Sequence, residues 1–127
     1  MRRRRGEERR RFVRVAEQLV VSCTPRPNEH ERFDGRTLNF SAGGIMLISP
    51  TTLPIGQAVD LVLRVPEDTS DLKLDGRVLR VRSLSDTHHE IAVEFTGGDM
   101  ASQRALQEML EERTGLFGIE PTEPIPA

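Results

Sequence analysis

A chain of 127 residues is long enough for one domain with a real core and too short for two ordinary ones. With five Phe and no Trp or Tyr the core must be aliphatic, and β-branched residues in short runs favour sheet over a helix bundle. The net charge of −2 hides an asymmetry: residues 1–14 hold eight arginines against Glu7 and Glu8, so the remaining chain is acidic. Such a split points to an arm that meets an anion, carried by a body that is not itself a general anion binder. No run of about 18 apolar residues and no signal-peptide core is present, so neither a membrane span nor export is expected. Cys23 has no second cysteine to pair with, which fits a reducing, cytoplasmic compartment.

Residues 1–9 have no apolar face to bury and read as a flexible basic arm. An extended segment follows from about Phe12 to Cys23, broken by Thr24-Pro25-Arg26-Pro27-Asn28 because proline cannot donate to a ladder. Gly35–Phe40 and Ile45–Ser49 read as strands joined by Ser41-Ala42-Gly43-Gly44, and Thr51–Gln57 as a loop. Val59, Leu61, Leu63 and Val65 share one face of the next strand at period two.

A long strand from Leu72 to about Ser83 changes phase midway. Leu72, Leu74 and Val78 have one parity, Leu79 and Val81 the other, and Gly76 is placed to host a bulge or bend. Ile91, Val93 and Phe95 form the inward face of a last strand. Asp99 then caps a helix to about Arg113, with Met100, Leu106, Met109 and Leu110 as its apolar stripe and Gly115 as its C′ residue. Residues 118–127 form a Pro-rich tail expected to be disordered. Six short strands and a terminal helix predict a mainly β protein, a six-stranded antiparallel β-barrel with a C-terminal α-helix.

Two clusters carry chemistry. Arg9, Arg10 and Arg14 enter the first extended segment. Guanidinium is planar and permanently charged; it forks onto phosphate or the guanine O6/N7 edge and stacks on bases. Arg10 and Arg14 lie roughly 13 Å apart if extended, enough to reach different parts of a ligand with two phosphates and two purines. The second cluster is Asn39, Ser41, Gly43 and Gly44. Asn39 and Ser41 project to one side of an extended chain and offer oxygens to guanine N–H groups, while glycine supplies positive φ and close approach. Each cluster also has an ordinary reading, as a solvated basic face or as a hairpin turn.

Taken together, Arg-x-x-x-Arg at Arg10 and Arg14, followed by Asn-x-Ser-x-x-Gly at Asn39, Ser41 and Gly44, resembles the two-part signature of PilZ domains. The resemblance continues through Gly76-Arg77-Val78 and Ile91–Phe95, covers about residues 9–113, and sets a PilZ-like domain at 10–117. It implies a barrel of the split-barrel type and cyclic di-GMP as ligand, with no further cofactor. Arg10 and Arg14 would hold phosphate and guanine; Asn39, Ser41 and Gly44 would contact guanine and adjacent backbone. Arg9, directly before the first motif arginine, implies an intercalated cyclic di-GMP dimer per protomer. Ala92 stands where glycine is common in the family.

The expected role is a receptor that orders its arginine arm on binding ligand and signals to a partner protein that the sequence leaves unspecified. The alternatives are a nucleic-acid-binding module using the arm, or a ligand-independent structural adaptor. The acidic body and the near absence of aromatic platforms argue against nucleic acid. His88, His89, His30 and Cys23 show no metal spacing, and Cys23 has no base partner, reading as a half-buried strand residue. No nucleophile–base pair can be assembled, so an enzyme is not expected.

Overall fold

A computed structural model describes residues 14–66 and 71–115. The basic arm, including Arg9 and Arg10, and the Pro-rich tail lie outside the described residues. The strands are β1 (Val20–Pro25), β2 (Phe33–Phe40), β3 (Gly44–Ser49), β4 (Ala58–Leu63), β5 (Leu72–Ser83) and β6 (His89–Gly98), followed by helix α1 (Met100–Thr114). They close into an antiparallel barrel in the order β1-β2-β3-β6-β5-β4, with β1 paired to β4 from Val21↔Leu63 to Pro25↔Val59. Closure removes sheet edges that a six-stranded open sheet would leave exposed.

Alternation along the strands builds the core. Val21, Phe40, Ile45, Leu47, Val59, Leu61, Leu63, Leu72, Val78, Ile91 and Val93 are all essentially fully buried. Burying such a side chain contributes roughly 1.5–3 kcal/mol. Cys23 is buried as well, at 1 % exposure rather than half-buried, because β1 turns it inward with Val21. Burial pushes its thiol up to about 12, with the charge of Asp60 adding to the effect. Helix α1 packs on β5 and β6 through Leu106, Met109 and Leu110.

Three expectations are corrected in detail. β1 does not stop before Thr24 but runs through Pro25; its last two residues pair with β4 after pairing with β2 has ended at Cys23. The proline therefore sits where the strand has a single neighbour, which limits the cost of its missing donor. Met100 is 79 % exposed and is not part of the apolar stripe. It is the first helical residue, and the buried place on that turn belongs to Ser102, whose Oγ accepts from Lys73 N–H at 2.8 Å. Leu79, grouped with Val81 by parity, is 49 % exposed, because it is the extra residue of a bulge.

The helix ends are as expected. The Asp99 carboxylate accepts from Ser102 N–H at 2.6 Å, and Gly115 closes the helix in the left-handed region at φ 72°. The N-terminal segment is tied to both barrel and helix. Val15 bridges Phe40, Thr37 N–H donates to Leu19 O at 2.9 Å, and Arg113 forks onto Glu17 at 2.9 and 3.3 Å.

Candidate functional site

The site begins with a strand irregularity. Gly35 and Thr37 of β2 face the core, and simple alternation would send Asn39 inward too. The β2–β3 register instead slips between Thr37 and Asn39, leaving Leu38 as an extra residue. The phase inverts, so Phe40 fills the core at 0 % exposure and Asn39 turns to the outer face. Bulges re-aim side chains in this way.

The Val15–Phe40 bridge, made by two backbone bonds of 2.8 and 3.0 Å, then fixes Arg14 beside Ser41. Neighbours of a bridged inward pair point outward, so Arg14, Asn39 and Ser41 converge. Arg14 Nε donates to Asn39 Oδ1 at 2.8 Å, and Nη1 reaches Ser41 Oγ at a looser 3.4 Å. Thus the structure brings Arg14, Asn39 and Ser41 together.

The turn that follows is held locally. Ser41 N–H donates to Gly44 O at 2.9 Å, and Gly43 N–H donates to Ser41 Oγ at 3.2 Å. Gly43 O accepts from Phe95 N–H at 3.0 Å, fastening the turn to β6. Ser41 is completely buried. Neither Gly43 nor Gly44 has positive φ, contrary to the expectation for this turn. Packing also requires glycine at 44: a Cβ there would sit 2.4 Å from Val93 O on β6.

A second bulge brings in a residue that sequence reasoning missed. The β5–β6 register slips between Val78 and Arg80, with Leu79 as the extra residue. Arg80 has the parity of the buried residues Leu72, Leu74 and Val78; the bulge turns it out of the barrel. Its row then reads straight across the outer face, Asn39↔Met46, Met46↔Ala92, Ala92↔Arg80. Three strand spacings of about 4.8 Å separate the ends of this row, a span that two leaning arginine side chains readily narrow.

Electrostatics single out the same face. Arg14 makes no ion pair among the described residues, although Arg26, Arg82 and Arg113 all do. Partial withdrawal from water lowers the pKa of Arg14, and the charge of Arg80 lowers it further. Two guanidinium groups that repel each other beside side-chain oxygens, neither paired with a carboxylate among the described residues, make an anion-receptive surface. A groove of about 340 Å³ between the hairpin and α1, lined by Ala42, Phe95, Gln103 and Leu106 among others, contains no cationic residue. Among the described residues no cluster of three or more His, Cys, Asp or Glu is arranged for a metal, and no helix is long and apolar enough to cross a membrane.

Comparison with known proteins agrees with this fold. The PilZ domain family matches residues 8–112. The fold is similar to that of the inhibitor of motility MotI/DgrA of Bacillus subtilis, with a TM-score of 0.67 and 21% identity over 85% of this chain and 52% of that one. It is also similar to the PilZ domain of YcgR from Escherichia coli with c-di-GMP (TM-score 0.64, 14% identity, 85% and 93% covered). The MrkH–c-di-GMP complex of K. pneumonia gives TM-score 0.65 and 22% identity, with 81% and 51% covered. The chain thus spans about half the length of the MotI and MrkH chains it matches. A search of curated proteins finds no match.

Proposed function

The chain belongs to the PilZ domain family, and from that premise we propose that it is a cyclic di-GMP receptor whose site is built on Arg14, Asn39 and Ser41. The observation that carries this reading is the Arg14 guanidinium, fixed by Asn39 Oδ1 and left without a carboxylate among the described residues. Anchored in this way, the guanidinium is pre-organised for a phosphate or a guanine edge and is not neutralised by its own protein. Asn39 and Ser41 add the oxygens that distinguish guanine from a bare phosphate.

Structures of YcgR and MrkH with c-di-GMP support the ligand class. Arg10 supplies the other motif arginine, and Arg9 adds the contact that recruits a second, intercalated ligand. Gly43 and Gly44 contribute through the shape of the turn. Ligand capture orders the arginine arm against the barrel and creates a surface that a partner protein reads, a local charge event with a distant readout. The protein acts as a receptor or adaptor, not as an enzyme.

Calorimetric titration tests the proposal. Cyclic di-GMP binds saturably with two ligands per protomer, while GTP and cyclic di-AMP do not compete. Arg14→Ala weakens binding by well over tenfold, since truncating one partner of a desolvated charge pair costs about 2–5 kcal/mol. Arg2→Ala leaves affinity unchanged. A stoichiometry of one would remove the role given to Arg9, and an Arg2→Ala effect larger than that of Arg14→Ala would overturn the site.

A further inference from the structure

Strand β5 outruns its neighbour on one side. It pairs with β6 as far as Ser83↔His89, but its pairing with β4 ends at Arg77↔Ala58. A turn at residues 54–57 extends that side by a single residue, with Gly56 N–H donating to Val78 O at 2.8 Å and Val78 N–H to Gln57 O at 2.9 Å. Past Val78, residues 79–83 make no backbone bond on that side to any described residue. The barrel thus carries a length of open strand edge, whose N–H and C=O groups are free to pair with another strand.

The side chains around this edge set it apart. Among the described residues four large apolar side chains are exposed, and three of them gather here: Ile55 at 69 %, Leu79 at 49 % and Leu84 at 51 %. Ile55 and Leu79 flank the Gly56–Val78 bond, and Leu84 follows the last residue of β5. Charge is one-sided as well. From Gly76 to Leu84 the sequence holds Arg77, Arg80 and Arg82 and no acidic residue, although the body of the chain is acidic. Arginine alone would be ordinary protection of an edge; exposed apolar side chains beside it favour contact.

We propose that this edge of β5 docks a partner protein, which adds an extended acidic segment with alternating apolar residues as a further strand. Backbone pairing attaches the segment, its apolar residues cover Ile55, Leu79 and Leu84, and its carboxylates meet the arginines. Other parts of this chain fit poorly. A second copy adding its own β5 edge would bring Arg80 and Arg82 together, and like charges across a strand pair are destabilising. The arm at residues 1–14 is itself basic, and the tail holds Pro121, Pro124 and Pro126, none of which donates to a ladder.

This inference goes beyond the receptor reading and does not depend on it, so its test omits cyclic di-GMP. The isotope-labelled protein is titrated with a synthetic peptide alternating glutamate and valine, and separately with one alternating lysine and valine. The glutamate peptide shifts the amides of residues 79–84 saturably and slows their hydrogen exchange, whereas the lysine peptide does neither. Leu79→Asp and Leu84→Asp, both at exposed positions, keep the wild-type melting temperature and bind the glutamate peptide about tenfold or more weakly. Equal responses to the two peptides, or no saturable shift at 79–84, would overturn the proposal. So would shifts there that grow with protein concentration alone, which would make a second copy the occupant. Failure of cyclic di-GMP to bind would overturn the receptor reading and leave this edge as it stands.

Discussion

Replacing Gly44 by alanine separates two accounts of why glycine stands there. In the barrel, β3 runs against β6 with Gly44 opposite Glu94, and an added Cβ would lie 2.4 Å from Val93 O and 3.4 Å from Glu94 Cα. The first of these is about 1 Å inside normal contact. The atom struck is a backbone carbonyl within a ladder, not the end of a side chain that can swing aside. Overpacking a tight site costs about 1–3 kcal/mol, and a backbone clash belongs at the upper end. For a domain of this size each kcal/mol lowers the melting temperature by about 4–8 °C, so Gly44→Ala should melt roughly 10–20 °C below the wild type. Circular dichroism measures the transition, and a cyclic di-GMP titration well below it measures binding in the folded variant. A melting temperature within about 2 °C of the wild type would refute the packing argument. If affinity alone fell, Gly44 would be there for ligand approach.

Further predictions follow from the caps, the clasp and the buried thiol. Asp99→Ala lowers the melting temperature by removing the acceptor of the Ser102 N–H, and Asp99→Asn, which keeps an acceptor, recovers most of the loss. The Ser102 backbone bond lowers the Asp99 pKa. The ionised cap is therefore fully stabilising above the ordinary value of 3.8, and its advantage over Asp99→Asn fades as pH falls through the lowered value. Glu17→Gln weakens the fork from Arg113 that ties the N-terminal segment to α1; a loss of about 1 kcal/mol in urea unfolding, shrinking at high salt, is expected for this partly exposed pair. Cys23, with its thiol pushed up to about 12, reacts with iodoacetamide at pH 8 far more slowly in the folded protein than in denaturant. Equal rates would mean that β1 does not bury it.

Much of the barrel is legible in single strands. The alternation Val59, Leu61, Leu63 marks β4, and Asp99 and Gly115 bracket α1, because each signal is local to a few residues. The site is legible in part. Arg14, Asn39 and Ser41 stand out by type and spacing, and the fold brings them within hydrogen-bond reach. Arg9 and Arg10 lie outside the described residues. What could not be read is phase. Hydrophobic alternation reports that a strand changes face but not which residue is extra, so parity groups Leu79 with Val81 and leaves the bulge at Leu38 unseen.

Arg80 was missed for the same reason, since its uncompensated charge depends on a register between β5 and β6 that no local pattern encodes. Its signal was nonetheless present. Three arginines at 77, 80 and 82 face Glu90, Ala92 and Glu94, and the gap at Ala92 becomes visible once the strands are aligned. Met100 misled in the opposite sense, as an apolar residue at a helix start that the capping geometry turns to solvent.

The most direct test is amide chemical-shift mapping of the isotope-labelled protein during titration with cyclic di-GMP. The account predicts saturable shifts at Arg14, Asn39 to Gly44, Met46, Ala92 and Arg80, with the β1–β4 wall at Cys23 and Leu61 undisturbed. Saturable shifts centred on that opposite wall, or none at any residue while the barrel remains folded, would contradict it.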